Sequence, residues 1–169
     1  IADTDGRSGE ATVRKNKSGI VVKGIDDLAV RFSKCCSPVP GDEIVGFVTR
    51  GRGITIHRTD CINVLNLPEI ERSRLIDAEW QGVEEDNSAA TYSTEISIFA
   101  NNRIGMFVDL SKVFTERQID IKSMNVRTTK QGKATILMTF DIRGIEELNK
   151  LADKLRQIEG VIDIERTAG

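Results

Sequence analysis

The sequence contains few of the residues that most often mark a functional site. Its 169 residues include three cysteines, three prolines, one histidine and one tryptophan, and aromatic residues make up 5% of the chain. An odd number of cysteines, two of them adjacent, excludes a disulfide framework, because vicinal residues rarely reach bridging geometry and one thiol would be left over. The cysteine content therefore favours a reducing compartment.

Long apolar runs are also missing. No window approaches the roughly 18 apolar residues that a membrane-spanning helix needs, and no apolar leader precedes a small-residue cleavage site. The hydrophobic share of 39% and the charged share of 30% are those of a soluble globular protein. We expect a cytoplasmic protein with no membrane partner. Because the chain opens with Ile1 and a polar run, we interpret it as part of a longer protein, with residues 1–18 as a linker.

The net charge of −2 hides a strong segregation of charge along the chain. Residues 14–58 carry nine Lys or Arg against four Asp or Glu, whereas residues 68–90 carry two against seven. Residues 91–169 are nearly balanced, at twelve against eleven. The pattern indicates a basic module joined to a neutral one by an acidic segment.

All three cysteines and the histidine lie between Lys34 and Cys61, in the stretch KCCSPVPGDEIVGFVTRGRGITIHRTDC. Thiolate sulfur and imidazole nitrogen are ligands that zinc prefers, and a site closed by four protein ligands is structural. The sequence predicts such a site from Cys35, Cys36, His57 and Cys61. The alternative that stays open is packing, with Cys36 as a small buried hydrophobe and His57 at the end of an exposed strand. No orienting partner for a Cys–His pair is recognisable nearby, so we assign no catalytic residue.

Residues 19–82 are interpreted as a small β-rich domain. Two short apolar runs within residues 19–33 are split by a turn at 24–27, which is typical of paired strands. The apolar content is thin, and small domains of this kind often need a stabilising metal.

The middle of this domain predicts a β-hairpin. Strands are expected at residues 44–50 and 54–58, on either side of a glycine-containing turn. Further on, the run ERSRLIDAEW predicts a strand or a short helix that ends at Trp80.

The predicted hairpin would bring basic side chains together. These residues are Lys34, Arg50, Arg52 and Arg58. Arginines on a glycine-rich turn can contact nucleic-acid phosphates closely, so RNA binding is one interpretation. The other is a solvated edge strand protected by charge from aggregation.

The second half of the chain has a much clearer pattern. We place an acidic linker at residues 83–90 and a second domain at residues 91–169. Alternation predicts strands at 92–100, 119–129, 134–142 and 161–167, and helical periodicity predicts helices starting at Met106 and Ile145. The order βαββαβ predicts an α+β, ferredoxin-like sandwich with two helices on one face of an antiparallel sheet.

The loop between the first strand and first helix of this domain, residues 101–105, is a candidate ligand site. Backbone amides before a helix can hold a carboxylate, and the side chains of Asn101 and Asn102 can donate or accept hydrogen bonds. The competing interpretation is an ordinary strand-to-helix turn in which Gly105 supplies backbone freedom.

These motifs together resemble a known family. The stretch CCSPVPGDEIVGFVTRGRGITIHRTDC resembles the conserved-cysteine or zinc-finger domain of the RelA/SpoT family, the bacterial Rel enzymes that make and hydrolyse (p)ppGpp. Residues 92–168 resemble the ACT domain that ends those proteins. The resemblance covers the chain from about Gly19 onward.

The resemblance implies a regulatory region of a GTP pyrophosphokinase with no enzymatic activity of its own. The family's synthetase and hydrolase domains lie N-terminal to such a region. Its expected partners are those catalytic domains, the ribosome with its rRNA, and uncharged tRNA. The motif carries metal-ligand roles onto Cys35, Cys36, His57 and Cys61, and it gives the basic hairpin an expected RNA contact.

The ACT resemblance implies a second possible role, since many ACT domains bind amino acids at a dimer interface. The loop at residues 101–105 resembles the ligand loop of such domains, and Asn102, Gly105 and Asp120 match positions that contact the ligand there. Asn101 and Met106 are further candidate ligand-binding residues. A branched-chain amino acid bound by a homodimer is the corresponding expectation. Ile104 stands where the family commonly has proline.

Overall fold

The computed structural model of the chain describes residues 20–22, 29–51, 53–80 and 90–167. The described residues fall into two compact units. The first contains residues 20–22, 29–38, 42–51 and 53–80, and the second contains residues 90–167 together with Val39–Gly41. The linker expected at 1–18 and nearly all of the one expected at 83–90 lie outside the described residues.

The first unit is built on one five-stranded sheet. Its strands are β1 (Ile20–Val22), β2 (Ala29–Phe32), β3 (Ile44–Val48), β4 (Gly53–Arg58) and β5 (Leu75–Trp80), in the order β1-β5-β3-β4-β2. Strands β3 and β4 pair antiparallel with Ile44 opposite Arg58, which confirms the predicted hairpin.

The predicted pairing of the first two strands is wrong. Strand β1 pairs antiparallel with β5, while β2 pairs in parallel with β4, so the two lie at opposite edges of the sheet. A turn signal shows where the chain leaves a strand, but burial decides which strand becomes its neighbour. Here Val30 and Phe32 of β2 pack against a cluster that contains Ile54 and Ile56 of β4.

Two short helices complete the first unit. Helix α1 (Ile62–Leu65) follows Cys61, and a 3₁₀ helix (Glu69–Arg74) leads directly into β5. The run for which a strand or a short helix was predicted therefore forms both, one after the other.

The second unit has the predicted order βαββαβ. Its elements are β6 (Tyr92–Asn101), α2 (Met106–Glu116), β7 (Ile121–Thr128), β8 (Lys133–Ile142), α3 (Ile145–Arg156) and β9 (Val161–Arg166). The four strands form an antiparallel sheet in the order β7-β8-β6-β9. The α+β fold class is confirmed.

The core of the second unit follows from the alternation along its strands. In β8, Ala134, Ile136, Met138, Phe140 and Ile142 are all buried, and the residues between them are not. Leucines of both helices pack against this face within one core of fifteen buried residues. Phe114 of α2 meets Phe140 edge to face, with ring centroids 5.0 Å apart.

Across the described residues, no helix combines the length and the apolar character needed to cross a membrane.

Candidate metal centre

The first two candidate ligands lie on a tight turn directly after β2. The amide of Ser37 donates a hydrogen bond of 3.0 Å to the carbonyl of Ser33, which closes the turn around Cys35 and Cys36. Ser37 has a positive φ of 46°, uncommon for a residue with a side chain, so the turn is held in a demanding conformation. The amide of Ser33 donates to the carbonyl of Ile56 over 2.9 Å and ties this turn to β4.

The other two candidate ligands come from the end of β4 and the turn after it. His57 is the fifth residue of β4 and projects to the opposite face from the buried Ile56. The chain then turns, with the amide of Cys61 donating to the carbonyl of Arg58 over 3.1 Å. Cys61 is fully buried and directly precedes α1, whose Val64 packs against it.

The four ligand atoms converge. One atom each from Cys35, Cys36, His57 and Cys61 lies within 4.8 Å of the others. The Cys35 Sγ atom is 3.5 Å from His57 Nδ1 and 3.4 Å from Cys61 Sγ, and Cys36 Sγ is 3.9 Å from His57 Nδ1. Tetrahedral zinc with bonds of about 2.0 to 2.3 Å separates its ligand atoms by about 3.4 to 3.8 Å, and these three distances lie close to that range. The cluster could hold a metal ion.

Neighbouring groups shift the pKa values of the Cys35 and Cys36 thiols in opposite directions. Burial would raise the pKa of Cys35, but hydrogen bonds with Ser33, Asn63 and its neighbouring cysteines outweigh burial and lower that pKa below its ordinary value. The Ser33 hydroxyl lies 2.7 Å from Cys35 Sγ. For Cys36, burial dominates and raises the pKa to about 12. Burial also lowers the pKa of His57, which favours the neutral imidazole that a metal requires.

Arg58 belongs to the His57–Cys61 segment and contacts the Cys35–Cys36 turn. Its backbone amide donates a hydrogen bond of 3.3 Å to Cys36 Sγ, and its Nη1 donates one of 3.2 Å to the carbonyl of Cys36. Its Nε donates a hydrogen bond of 2.9 Å to Asp60 Oδ1, and its Nη2 donates one of 2.6 Å to Asp60 Oδ2. Burial works against the charged guanidinium, but the hydrogen bonds and the charge of Asp60 raise the pKa of Arg58.

Three of the four basic residues that the sequence suggested for RNA are described by the structure, and these three do not form one exposed cluster. Arg58 is buried at 7% exposure, Lys34 and Arg50 are exposed, and Arg52 lies outside the described residues. Lys34 follows the Phe32 end of β2 and Arg50 precedes the Gly53 end of β4. Since those ends are three paired residues apart, the two exposed cations are separated by at least about 10 Å along the strands.

In the second unit, the loop before α2 has a defined shape. Gly105 has a φ of +84°, which favours glycine, and it directly precedes α2. Arg103 braces the loop, since its Nη2 donates to Asp109 Oδ2 over 2.7 Å and its Nε donates to the carbonyl of Glu159 over 2.8 Å. Ile104 is fully exposed.

The candidate ligand residues of this unit are only partly brought together. Asn101, Asn102 and Gly105 are exposed at the loop, whereas the Met106 side chain is fully buried. Asp120 directly precedes Ile121, which pairs with Phe140, while Asn101 pairs with Lys133 at the other end of β8. Asp120 and the loop are therefore roughly 20 Å apart within one chain.

Two family models match the chain in succession. The RelA/SpoT RIS domain matches residues 20–81, and the ACT domain matches residues 88–166. The chain belongs to the RelA/SpoT family. The resemblance drawn from the cysteine-rich stretch is thereby confirmed, and the two domains make up a regulatory region of that family.

Relatives of this RelA/SpoT region are much longer than the chain. It is 36% identical over 156 residues to the GTP pyrophosphokinase of Escherichia coli (strain K12), which covers 92% of this chain and 20% of that protein. It is also 36% identical over 148 residues to the GTP pyrophosphokinase of Streptomyces coelicolor, covering 88% of this chain and 17% of that protein. The chain thus spans about a fifth of the length of these relatives.

A solved structure resembles part of this RelA/SpoT region. The crystal structure of the ACT domain from the GTP pyrophosphokinase of Chlorobium tepidum covers 46% of this chain and 99% of its own, with 25% identity and a TM-score of 0.41.

Sequence reasoning did not predict the contacts that three other residues make with the cysteines of this RelA/SpoT region, although it named Arg58 as a candidate RNA contact. Ser33 and Asn63 hydrogen-bond Cys35, and Arg58 contacts the cysteine turn. A signal for Arg58 was present, because residues 54, 56 and 58 share one face of a strand and the first two are isoleucine. No comparable pattern marked Ser33 or Asn63.

Proposed function

We propose that this chain is the regulatory region of a (p)ppGpp synthetase/hydrolase, in which the RIS domain folds around a zinc ion and docks the enzyme on a ribosome that carries uncharged tRNA. The observation that supports it most directly is the convergence of four ligand atoms within 4.8 Å in the RIS domain. Docking then controls the catalytic domains of the longer protein.

Zinc is the metal that the ligands favour. Three thiolates and an imidazole are soft or borderline ligands, and the spacing of about 3.4 to 3.9 Å between neighbouring ligand atoms suits a tetrahedron. Four protein ligands leave no open position, so the ion would stabilise the fold rather than activate water. The residues that would hold it are Cys35, Cys36, His57 and Cys61.

Metal analysis tests this part of the proposal. Protein prepared without chelator should contain one zinc per chain, and Cys61→Ser should lose it. The matched control is Ser33→Ala, which removes a hydroxyl beside Cys35 but no ligand and should retain the metal. A wild-type stoichiometry far below one, in a protein whose RIS domain is folded, would rule out the zinc centre.

Ribosome docking would use the exposed cations of the RIS domain. Lys34 directly precedes the cysteine turn, and the Arg50 side chain is 79% exposed in the β3–β4 turn, with Glu71 3.6 Å away. Phosphate contacts of this kind are weakened by salt. Lys34→Glu together with Arg50→Glu should weaken co-sedimentation with ribosomes and flatten its salt dependence.

The control for docking is a charge reversal elsewhere. Lys150→Glu changes an exposed lysine on α3 of the ACT domain and should leave ribosome association unchanged. Equal co-sedimentation of the wild type and the double RIS variant would refute this surface as the docking site.

Control of the catalytic domains is tested in the longer protein. A Cys61→Ser change there should uncouple (p)ppGpp synthesis from ribosomes while leaving the ribosome-independent activities in place. Unaltered stimulation by ribosomes would show that the RIS domain does not relay docking to catalysis.

The braced loop of the ACT domain favours a second candidate function, the binding of a branched-chain amino acid. Arg103 fixes the loop through Asp109 and the carbonyl of Glu159, so Ile104 in place of proline does not leave the loop unsupported. Because Asp120 lies at the other end of the sheet, uniting it with this loop requires two copies of the chain. We propose that a homodimer would form such a site.

An amide-resolved NMR titration with valine, isoleucine and leucine tests the second candidate. Saturable shifts should centre on residues 101–106, and Asp120→Ala should weaken them. Glycine serves as the matched ligand control, since it has the same charged groups but no branched side chain. The absence of shifts at millimolar amino acid would remove this function.

A further inference from the structure

Arg58 is an unusual residue for its position in the RIS domain. It follows Ile54 and Ile56 on the buried face of β4 and is only 7% exposed. Burying a charge is costly unless it is paired and hydrogen-bonded, so arginine at such a position needs partners that a hydrophobic residue would not.

The partners of Arg58 lie on both ligand-bearing segments of the cysteine cluster. On one side, its Nη1 and its backbone amide reach the carbonyl and the Sγ atom of Cys36. On the other side, its guanidinium forms a bidentate pair with Asp60, and its carbonyl accepts the amide of Cys61. Arg58 therefore bridges two segments that are 22 residues or more apart in sequence.

We propose that Arg58 is the positioning residue of the metal centre, holding the Cys35–Cys36 turn and the Asp60–Cys61 turn at the separation that one ion requires. The inference rests on the proposed zinc centre and adds a function to a residue that touches no metal itself. It also assigns Arg58 to the metal centre rather than to an RNA surface. A planar guanidinium suits this task because it can serve the Cys36 carbonyl and both Asp60 oxygens at once.

The side chain can be tested apart from the backbone. Arg58→Ala retains the amide that donates to Cys36 Sγ and the carbonyl that accepts from Cys61, but it loses the guanidinium bridge. Groups that orient metal ligands typically contribute about 10- to 100-fold in metal affinity. We expect zinc affinity, measured by competition with a chromophoric chelator, to fall by about that factor.

A second readout separates positioning from general stability. The visible absorption of the Co²⁺-loaded protein reports the geometry of the ligand set, and Arg58→Ala should alter it. A residue that only supported the fold would leave the spectrum of the folded, loaded protein unchanged. Arg58→Lys keeps the charge but not the planar fork, so it should recover only part of the affinity.

Two further variants make the outcome decisive. Arg31→Ala removes an exposed arginine of β2 in the same domain, to which no binding role is assigned, and should leave zinc affinity unchanged. If Arg58→Ala does not fold, Asp60→Asn can be used instead, because it removes the charge that pairs with Arg58 at a side chain that is 62% exposed. This variant should also weaken zinc binding. Wild-type affinity in the folded Arg58→Ala, or in Asp60→Asn when the former is unfolded, would overturn the inference while leaving the zinc centre standing. A wild type that binds no zinc would instead remove the metal centre itself.

Discussion

The two domains differ in what holds them together. The ACT domain encloses fifteen buried residues in one hydrophobic core. Among the residues that the structure describes, the interior of the RIS domain consists of a cluster of four buried residues and a separate cluster formed by Cys36, Cys61 and Val64. Small cores supply little stability. The difference predicts that a metal held by the cysteine cluster would supply, in the RIS domain, stability that packing supplies in the ACT domain.

Removal of bound metal should have the largest effect on the difference in stability between the two domains. Metal binding by small cysteine domains contributes apparent free energies of about 10 to 16 kcal/mol, which is folding free energy. A chelator should therefore unfold the RIS domain and leave the ACT domain folded. The only tryptophan, Trp80, stacks on Phe32 of the RIS domain at a centroid distance of 5.6 Å, so its fluorescence reports this domain alone.

Amide spectra supply the control for chelation. Signals of residues 29–80 should collapse while those of 90–167 keep their positions, and added zinc should restore the former. Retention of native Trp80 fluorescence in metal-free protein would show that packing suffices in the RIS domain too.

Truncating the core of the ACT domain should produce the reverse pattern. Phe140→Ala removes a fully buried ring and its edge-to-face contact with Phe114, and such changes cost about 3 to 5 kcal/mol. Urea unfolding followed by amide signals of the ACT domain should show this loss, with zinc content and Trp80 fluorescence unchanged. The matched surface variant, Ile104→Ala, removes a fully exposed side chain and should leave stability unaltered. A loss of zinc in Phe140→Ala would contradict independent stabilisation.

The same difference explains how far sequence reasoning succeeded. The ACT fold follows from local patterns, because the alternation in β8 and the helical spacing of Leu110 and Phe114 are both set by neighbours in sequence. In the RIS domain the candidate metal ligands were predicted from residue type, since no other thiols or imidazole exist in the chain. The pairing of β2 with β4 and the bridge made by Arg58 depend on contacts between segments distant in sequence. Local patterns therefore did not reveal them.

Protons should couple to metal binding in the RIS domain and not in the ACT domain, which contains no cysteine or histidine. Burial raises the pKa of Cys36 to about 12 in the metal-free protein, so this thiol keeps its proton at neutral pH and must release it to bind metal. Release makes zinc affinity rise with pH, by about tenfold per pH unit for each such thiol. The lowered pKa of His57 leaves it neutral above pH 6.5, so it releases no proton there.

Two ligand variants separate these contributions. Both Cys36→Ala and His57→Ala should weaken zinc binding. Between pH 7 and 8, however, only Cys36→Ala should reduce the slope of log affinity against pH, by about one. Chelator competition at several pH values measures the slope, and an equal reduction in both variants would refute the assignment of the proton to Cys36.

The smallest expected effect concerns close packing at one turn of the ACT domain. Gly160 and Gly132 have φ angles of +97° and +77°, so alanine should strain the backbone by about 1 to 2 kcal/mol at either position. They differ in surroundings, because a Cβ at Gly160 would lie 2.7 Å from Met106 Cε and 3.1 Å from the Asn101 carbonyl oxygen, whereas one at Gly132 would meet nothing within 4 Å. Met106 can move, but the backbone oxygen cannot yield as easily, so Gly160→Ala should cost about 1 kcal/mol more in urea unfolding of this domain. Equal losses of unfolding free energy in the two variants would show that the turn at Gly160 relaxes around the added methyl group. The ACT domain would then tolerate small changes in packing at the edge of its core.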